Sequence, residues 1–349
     1  MLKILVYLRR SFKTAFDNLH NEKLKNNLLQ AIPFWIGSVI TGIFAVLYAQ
    51  IFLWGEKLMN LMMDWQAWSI FIMAPVCFVL SWWLVKKYAP YAKGSGIPQV
   101  MAAVELANPK EHHKIKYLLS VKIIIFKMLS SVILVIGGGA IGREGPTIQI
   151  AGSVFRTVNE YLPSWWPKIS KRNMIMTGAA AGLSAAFNTP LGGIVFAVEE
   201  LAKTHINYFK TALFTAVIIA GLMAQTLAGS YLYLGYPKTA GVGLSIMFPV
   251  ILVAGISGIL ASKLSVLMLK INAWNKTLKN DRQKITFLIA SALIIASLAY
   301  FVNREILGSG KEIMERTLFT ADKHEDWYVP LFRMIGPALS FTSGGAGGI

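Results

Sequence analysis

Long apolar stretches constrain the fold of this chain more than any other feature of its sequence. Each holds the roughly 20 apolar residues that a helix needs to cross the hydrocarbon core of a bilayer. Only 15% of the residues are charged, against roughly 25% in a soluble domain. We therefore predict an all-α polytopic membrane protein. The expected spans are 28–60, 68–88, 114–139, 207–234, 243–272 and 284–302, with 328–342 as a shorter candidate.

The basic residues predict how the chain lies in its membrane. The net charge is +17, and Lys and Arg cluster between the apolar stretches, as they do in cytoplasmic loops. This pattern favours a membrane protein over a nucleic-acid-binding one. Residues 1–30 carry six basic side chains against Asp17 and Glu22. We expect residues 1–27 to form a cytoplasmic amphipathic helix and linker, and the chain to be multi-pass in a cell membrane of the bacterial inner type.

Several apolar segments are too short to cross a bilayer alone. They cover 96–107, 145–162, 174–187 and 190–203, and several open with glycine and proline. Short, interrupted helices of this kind line sites inside membrane proteins. Their N-termini offer free N–H groups and a partial positive charge, which favours an anion.

Similar glycine-rich segments occur twice along the chain. A glycine-serine-glycine sequence precedes a predicted short helix at two places, 94–96 and 308–310. Likewise, the glycine-rich segment GGGAIGREGP (137–146) resembles SGGAGGI (343–349). Two halves with matching broken helices indicate an inverted-repeat transporter. We predict a first repeat at 28–234 and an incomplete second repeat at 235–349. On this interpretation the chain is a fragment rather than a naturally reduced transporter.

Glu144 lies between glycines in GREGP (142–146), after a long apolar run. Carboxylates inside a membrane are costly and usually functional. An ionised carboxylate resembles a bound anion, and protonation would release it from the same N–H groups. Such a residue couples protons to anions. The alternative is a helix-capping glutamate beside Arg143.

Ser95 lies in GSGIP (94–98), at the predicted start of a short helix. A hydroxyl group together with backbone N–H groups at a helix N-terminus can bind an anion. The alternative is a capped helix start with no further role.

Together these motifs resemble those of the CLC family of chloride channels and chloride/proton antiporters. GSGIP, GREGP and GAAAGLSAAFNTPLGGIVFAVEE (178–200) occur in the family's order, and the similarity covers about 28–349. The resemblance implies an inverted-repeat homodimer of tilted and discontinuous helices, with one pore per subunit. It implies that Ser95 binds the central chloride and Glu144 is the gate. The expected chloride-binding residues are Ser95, Gly96, Ile97, Arg143, Gly145 and Ile349.

The resemblance also implies roles for two further charged residues. Glu200 matches the family's internal proton-transfer glutamate, which is usually replaced in plain channels, so it favours antiport. Its alternative, like that of Glu199, is a polar helix end. Lys127 matches a buried lysine that contributes positive potential near the pathway, and its alternative is a lysine reaching to the membrane surface.

The sequence departs from the family pattern in three ways. The family's central-site tyrosine has no counterpart here, and no phenylalanine follows the closing GGI. Gln99 and Met101 stand where many bacterial relatives carry acids. The first two departures agree with a fragment.

We expect secondary-active chloride/proton antiport, with chloride, protons, the bilayer and a second copy as partners and no nucleic acid. A passive chloride channel is the first alternative. An intramembrane enzyme is a remote one, because the histidines lie outside the predicted spans. No metal or cofactor is expected. The His112-His113 pair is interpreted as part of a solvated loop rather than a metal site. The segment GGGAIG (137–142) follows a predicted long helix, whereas a dinucleotide site requires a preceding strand. Relatives that prefer nitrate or fluoride tend to carry a different residue at the position of Ser95, so the resemblance implies that Ser95 favours chloride.

Overall fold

The computed structural model describes residues 22–202, 210–229, 243–320 and 324–348. Residues 1–21 of the predicted amphipathic helix and linker (1–27) and the predicted site residue Ile349 lie outside the described residues. The rest of the expected site can be located in the fold.

The described part of the chain is helical, with two isolated β-bridges between glycine-rich segments. A π-helical turn, Ala197–Ala202, directly follows the helix Pro190–Phe196. The helices are α1 (Glu22–Trp65), α2 (Ile70–Tyr88), α3 (Ile97–Glu105), α4 (Ile115–Leu118), α5 (Val121–Ile136), α6 (Glu144–Glu160), α7 (Lys171–Phe187), α8 (Pro190–Phe196), α9 (Lys210–Ala228), α10 (Met247–Thr277), α11 (Asp281–Phe301), α12 (Lys311–Phe319) and α13 (Val329–Thr342).

Six helical stretches of the described chain are long and apolar enough to cross a membrane. They coincide with the six predicted spans, which confirms that part of the prediction. The shorter candidate at 328–342 forms α13, whose 14 residues measure only about 21 Å. Helix α1 has 44 residues and a length of about 66 Å, which exceeds the hydrocarbon thickness of about 30 Å.

The predicted span 114–139 corresponds to the candidate span His112–Ile136, but within it the helix is interrupted. Helix α4 ends at Leu118, and Leu119 adopts an extended conformation. The Ile123 N–H donates to Ser120 Oγ at 3.4 Å, so the serine caps the start of α5. The side chain therefore replaces a helical hydrogen bond at this break.

One compact unit contains the described residues of Met1–Leu47, Ile97–Ile124 and Thr147–Ser230. Within it α7 packs against α3, α8 and α9. Small residues permit this packing: a Cβ added at Gly182 would lie 2.6 Å from Ala151 Cβ, and one at Gly193 would lie 2.5 Å from a carbonyl oxygen. Close backbone approach of this kind is typical of membrane helices.

The other unit contains the described residues of Tyr48–Gly96, Ile125–Pro146 and Tyr231–Ile349. Within it α2 packs against α11, while α13 packs against α10 and α11. Each unit is made of three separate segments of the sequence, whereas each predicted repeat, at 28–234 and 235–349, is one continuous segment. The repeats therefore stay a prediction. This second unit contains both glycine-serine-glycine loops and GREGP.

Candidate anion site

Three glycine-rich backbone segments meet in the second unit. Gly94 donates its N–H to Gly345 O at 2.8 Å, and Gly347 donates to Gly94 O at 3.1 Å. Gly142 and Gly348 exchange a pair of hydrogen bonds, at 3.0 and 2.8 Å. The closing glycine segment, residues 345–348, is therefore bonded to both the GSGIP loop and the GREGP loop.

Glycine is required where these segments approach one another. A Cβ at Gly145 would lie 2.9 Å from Ser95 Cβ and 3.3 Å from Ser95 O. A Cβ at Gly348 would lie 3.4 Å from Gly145 N. Gly94 and Gly96 have φ angles of 66° and 95°, which side chains disfavour. The backbone can thus bring Ser95 beside the N-terminus of α6.

Glu144 is the first residue of α6. Its side chain folds back over the preceding residues. This is seen from the position of Glu144 Oε2, which lies only 2.5 Å from where a Cβ on Gly142 would be. The Arg143 Nε atom lies 4.0 Å from Glu144 Oε1, and the glutamate side chain is 20% exposed. The carboxylate therefore sits at a helix N-terminus, where a negative charge is favoured, and its ion pair with Arg143 is a long one.

Lys127 is fully buried on α5. Its ammonium donates to Ala92 O at 3.0 Å and to Gly94 O at 2.9 Å. The side chain therefore holds the backbone that leads into Ser95. The alternative interpretation required the Lys127 side chain to reach the membrane surface. Its complete burial contradicts that interpretation.

Two serines that the sequence analysis missed support the same region. Ala346 donates its N–H to Ser130 Oγ at 3.0 Å, and the hydroxyl groups of Ser130 and Ser81 lie 2.8 Å apart. Ser130 and Lys127 are three residues apart and share a face of α5. The available signal was a lysine and a serine at helical spacing inside an apolar helix, where polar residues are costly.

The structure brings Ser95, Arg143, Glu144, Gly145 and Lys127 into the second unit. Gly96 is buried and precedes α3, which begins at Ile97. Glu199 and Glu200 lie on the π-helical turn of the first unit, and both side chains are exposed. Local π-helical geometry is frequent at functional sites.

The glycines of the second glycine-serine-glycine loop have positive φ angles, as those of the first loop do. Gly308 and Gly310 have φ angles of 65° and 81°. Arg333 donates to Leu307 O at 3.1 Å and to Gly308 O at 2.9 Å, much as Lys127 holds the first loop. Ser309 donates its N–H to Glu56 Oε1 at 2.9 Å. The two glycine-serine-glycine loops, which are similar in sequence, are thus also similar in the φ angles of their glycines.

An acidic pair lies near this second loop. Arg316 Nη2 lies 2.9 Å from Glu305 Oε1 and also pairs with Glu325. Burial raises the pKa of the Glu305 carboxyl, and a hydrogen bond with Glu325 raises it further. The folded protein therefore holds a proton here more tightly than the unfolded chain does.

Replacing Glu305 by Gln should flatten part of the pH dependence of stability. Because the pKa of Glu305 is raised in the folded state, its stabilising contribution is complete below the unfolded pKa near 4.5. This contribution is lost as the pH rises through the folded-state pKa. We expect the fall in Tm from pH 4.5 to pH 7 to shrink by about 1–2 °C, a small effect because the group is partly exposed. Thermal unfolding in detergent measures it. Glu312→Gln, an exposed change on α12, is the control, and equal pH slopes for Glu305→Gln and the parent protein would contradict the prediction.

Comparison with known proteins identifies the family. Residues 77–349 match the family model described as voltage gated chloride channel. Because this match covers most of the chain, the protein belongs to the CLC family of voltage gated chloride channels. It is a multi-pass membrane protein, as its six candidate spans indicate.

Curated relatives include transporters named H(+)/Cl(-) exchange transporter ClcA. The Citrobacter koseri protein is 26% identical over 323 residues, which cover 89% of this chain and 66% of the relative. The Salmonella arizonae protein is 27% identical with the same coverage. The chain therefore spans just under two thirds of the length of these relatives.

Solved structures confirm the predicted fold class. A slow cyanobacterial Cl−/H+ antiporter superposes with a TM-score of 0.74 at 22% identity, covering 95% of this chain and 76% of its own. A CLC-type fluoride/proton antiporter gives a TM-score of 0.75 at 17% identity, covering 94% and 78%. At these identities the likeness concerns the fold alone.

Proposed function

We propose that this protein exchanges chloride for protons across a membrane, with Glu144 as the gate. The observation that carries the proposal is the position of the Glu144 carboxylate at the N-terminus of α6, beside Gly142. The relatives' name, H(+)/Cl(-) exchange transporter, supports it. The secondary-active mechanism needs no cofactor, because ion gradients supply the driving force.

The proposed anion site is built mainly from backbone N–H groups. Ser95 supplies a hydroxyl group, while Gly96, Ile97 and Gly145 supply main-chain donors at two helix N-termini. Arg143 adds positive charge, and Ile349 would add a further donor. Serine at position 95 favours chloride, as expected from the sequence.

The gate follows from competition between two anions. When Glu144 is ionised, its carboxylate occupies the donors that chloride would use. When it is protonated, its hold on those N–H groups weakens, so the side chain leaves and chloride enters. Movement of chloride past this residue is thereby coupled to the binding and release of protons at its carboxylate.

The remaining elements of the proposal concern protons and assembly. Glu200 carries protons on the cytoplasmic side, and its exposed position on a π-helical turn allows exchange with water. Lys127 contributes positive potential and holds the Ser95 loop. The protein works as a homodimer in a bacterial inner membrane, with its N-terminus in the cytoplasm.

Reversal potentials in proteoliposomes test antiport. With a chloride gradient fixed, a coupled exchanger shifts its reversal potential when a pH gradient is added, whereas a passive chloride conductance does not. Glu200→Gln should abolish the pH-dependent shift while chloride flux persists. A potential that ignores pH in the unaltered protein would overturn antiport and favour the second candidate.

That second candidate is a passive chloride channel. The description of the matching family model, voltage gated chloride channel, is the observation that favours it. The geometry of the Glu144 site serves both functions, because a carboxylate can gate a conductance as well as an exchange cycle.

A further inference from the structure

We propose that a groove between α2 and α11 binds one anionic phospholipid. An acyl chain lies along the apolar lining, and the phosphate lies among Lys and Arg side chains at one end. The proposal is independent of transport, since lipid binding can be measured without any flux.

The groove has a volume of about 480 Å³. Its lining is apolar and includes Val76, Val79, Leu80, Trp83, Ile285 and Ile289. Val76 is 58% exposed and Trp83 is 40% exposed, so the surface is open from outside. An unbranched hydrocarbon chain fits such a lining.

One end of the groove is cationic on the α2 side. Lys86 and Lys87 lie one turn beyond Trp82 and Trp83. The Lys86 ammonium is 5.0 Å from the Trp82 ring centroid, and that of Lys87 is 4.8 Å from the Trp83 ring centroid. Both charges are thus held against indole faces at the mouth of the groove.

The same end is cationic on the α11 side. Arg282 lies three residues before the lining residue Ile285, and Lys284 lies one residue before it. The ion pair between Lys86 and Asp281 joins the two helix ends. Within the described ranges, Lys87, Arg282 and Lys284 form no ion pair. Three positive charges therefore remain uncompensated beside an apolar groove.

An anionic phospholipid matches this combination better than other occupants do. Basic pockets between transmembrane helices bind anionic headgroups, and tryptophans mark the headgroup level of a bilayer. A zwitterionic lipid leaves the three charges uncompensated. A second copy of a chain with net charge +17 would bring further positive charge to this end.

Native mass spectrometry of the detergent-purified protein tests the site. The probes are phosphatidylglycerol and phosphatidylcholine with identical acyl chains. We expect one tightly held phosphatidylglycerol in preference to phosphatidylcholine, and each cation removed should lower the preference roughly fivefold. The triple variant Lys87→Gln/Arg282→Gln/Lys284→Gln should bind the two lipids equally, and Val79→Trp should lose the bound lipid by filling the groove.

A matched control removes three exposed lysines from the other unit, as Lys110→Gln/Lys116→Gln/Lys122→Gln. This variant should keep the parent preference. Equal binding of both lipids by the unaltered protein, or the same loss in the control triple, would overturn the proposal. Retention of the lipid in Val79→Trp would also overturn it, as would a protein dimer that replaces the lipid and is lost in that variant.

Discussion

Glu144→Gln should abolish proton movement while chloride flux continues. The amide of glutamine has the shape of the protonated carboxyl but cannot ionise, so it cannot act as a competing anion at the N-terminus of α6. In proteoliposomes, a chloride gradient should then drive no proton transport against a gradient. The chloride flux should change by less than about twofold between pH 4.5 and pH 7.5, because the ionisation that closes the path is gone.

Glu160→Gln provides the matched control for this experiment. It removes a carboxylate from the last turn of the same helix, where Glu160 pairs with Arg156 at the surface. Coupling and pH dependence should both remain as in the parent protein. Uphill proton transport that persists in Glu144→Gln would reject Glu144 as the gate.

Lys127→Met should lower chloride affinity by about one to two orders of magnitude. The substitution removes two hydrogen bonds, to Ala92 O and Gly94 O, and such bonds contribute roughly 0.5–1.5 kcal/mol each. A difference of 1.4 kcal/mol is a factor of ten. With these carbonyl groups released, the Ser95 loop loses its fixed position. Isothermal titration with chloride in detergent measures the change.

Lys127→Gln separates the two roles that the lysine could have. Glutamine keeps hydrogen-bond donors but carries no charge. If the lysine acts by holding the loop, Gln restores much of the affinity that Met loses. If it acts by positive potential alone, Gln and Met are equally impaired. A parent-like affinity in Lys127→Met would contradict both roles.

The sequence was sufficient to predict the six spans and to single out the segments that form the candidate site. Long apolar runs directly indicate membrane-spanning helices. Glu144 and Ser95 lie in short glycine-rich segments, which can be interpreted from a few neighbouring residues. The glycine echo at positions 308–310 was also visible, and its φ angles match those of the first loop.

Other features depend on contacts that spacing does not reveal. Nothing local connects Ser130 with Ala346, which are 216 residues apart. The break at Ser120 depends on whether a serine hydroxyl bonds to its own backbone or points elsewhere. That choice is decided by packing, so the break within this span was not predicted.

The hydrogen bonds of the closing glycine segment also determine when the site can form during synthesis. Gly94 and Gly142 are made more than two hundred residues before Gly345 and Gly348, with which they bond. Until those glycines emerge from the ribosome, both loops lack these partners, and unpaired backbone groups are costly inside a bilayer. Contacts so distant in sequence form slowly. We therefore expect a nascent chain to lack these contacts of the proposed anion site until Gly345 and Gly348 have been synthesised.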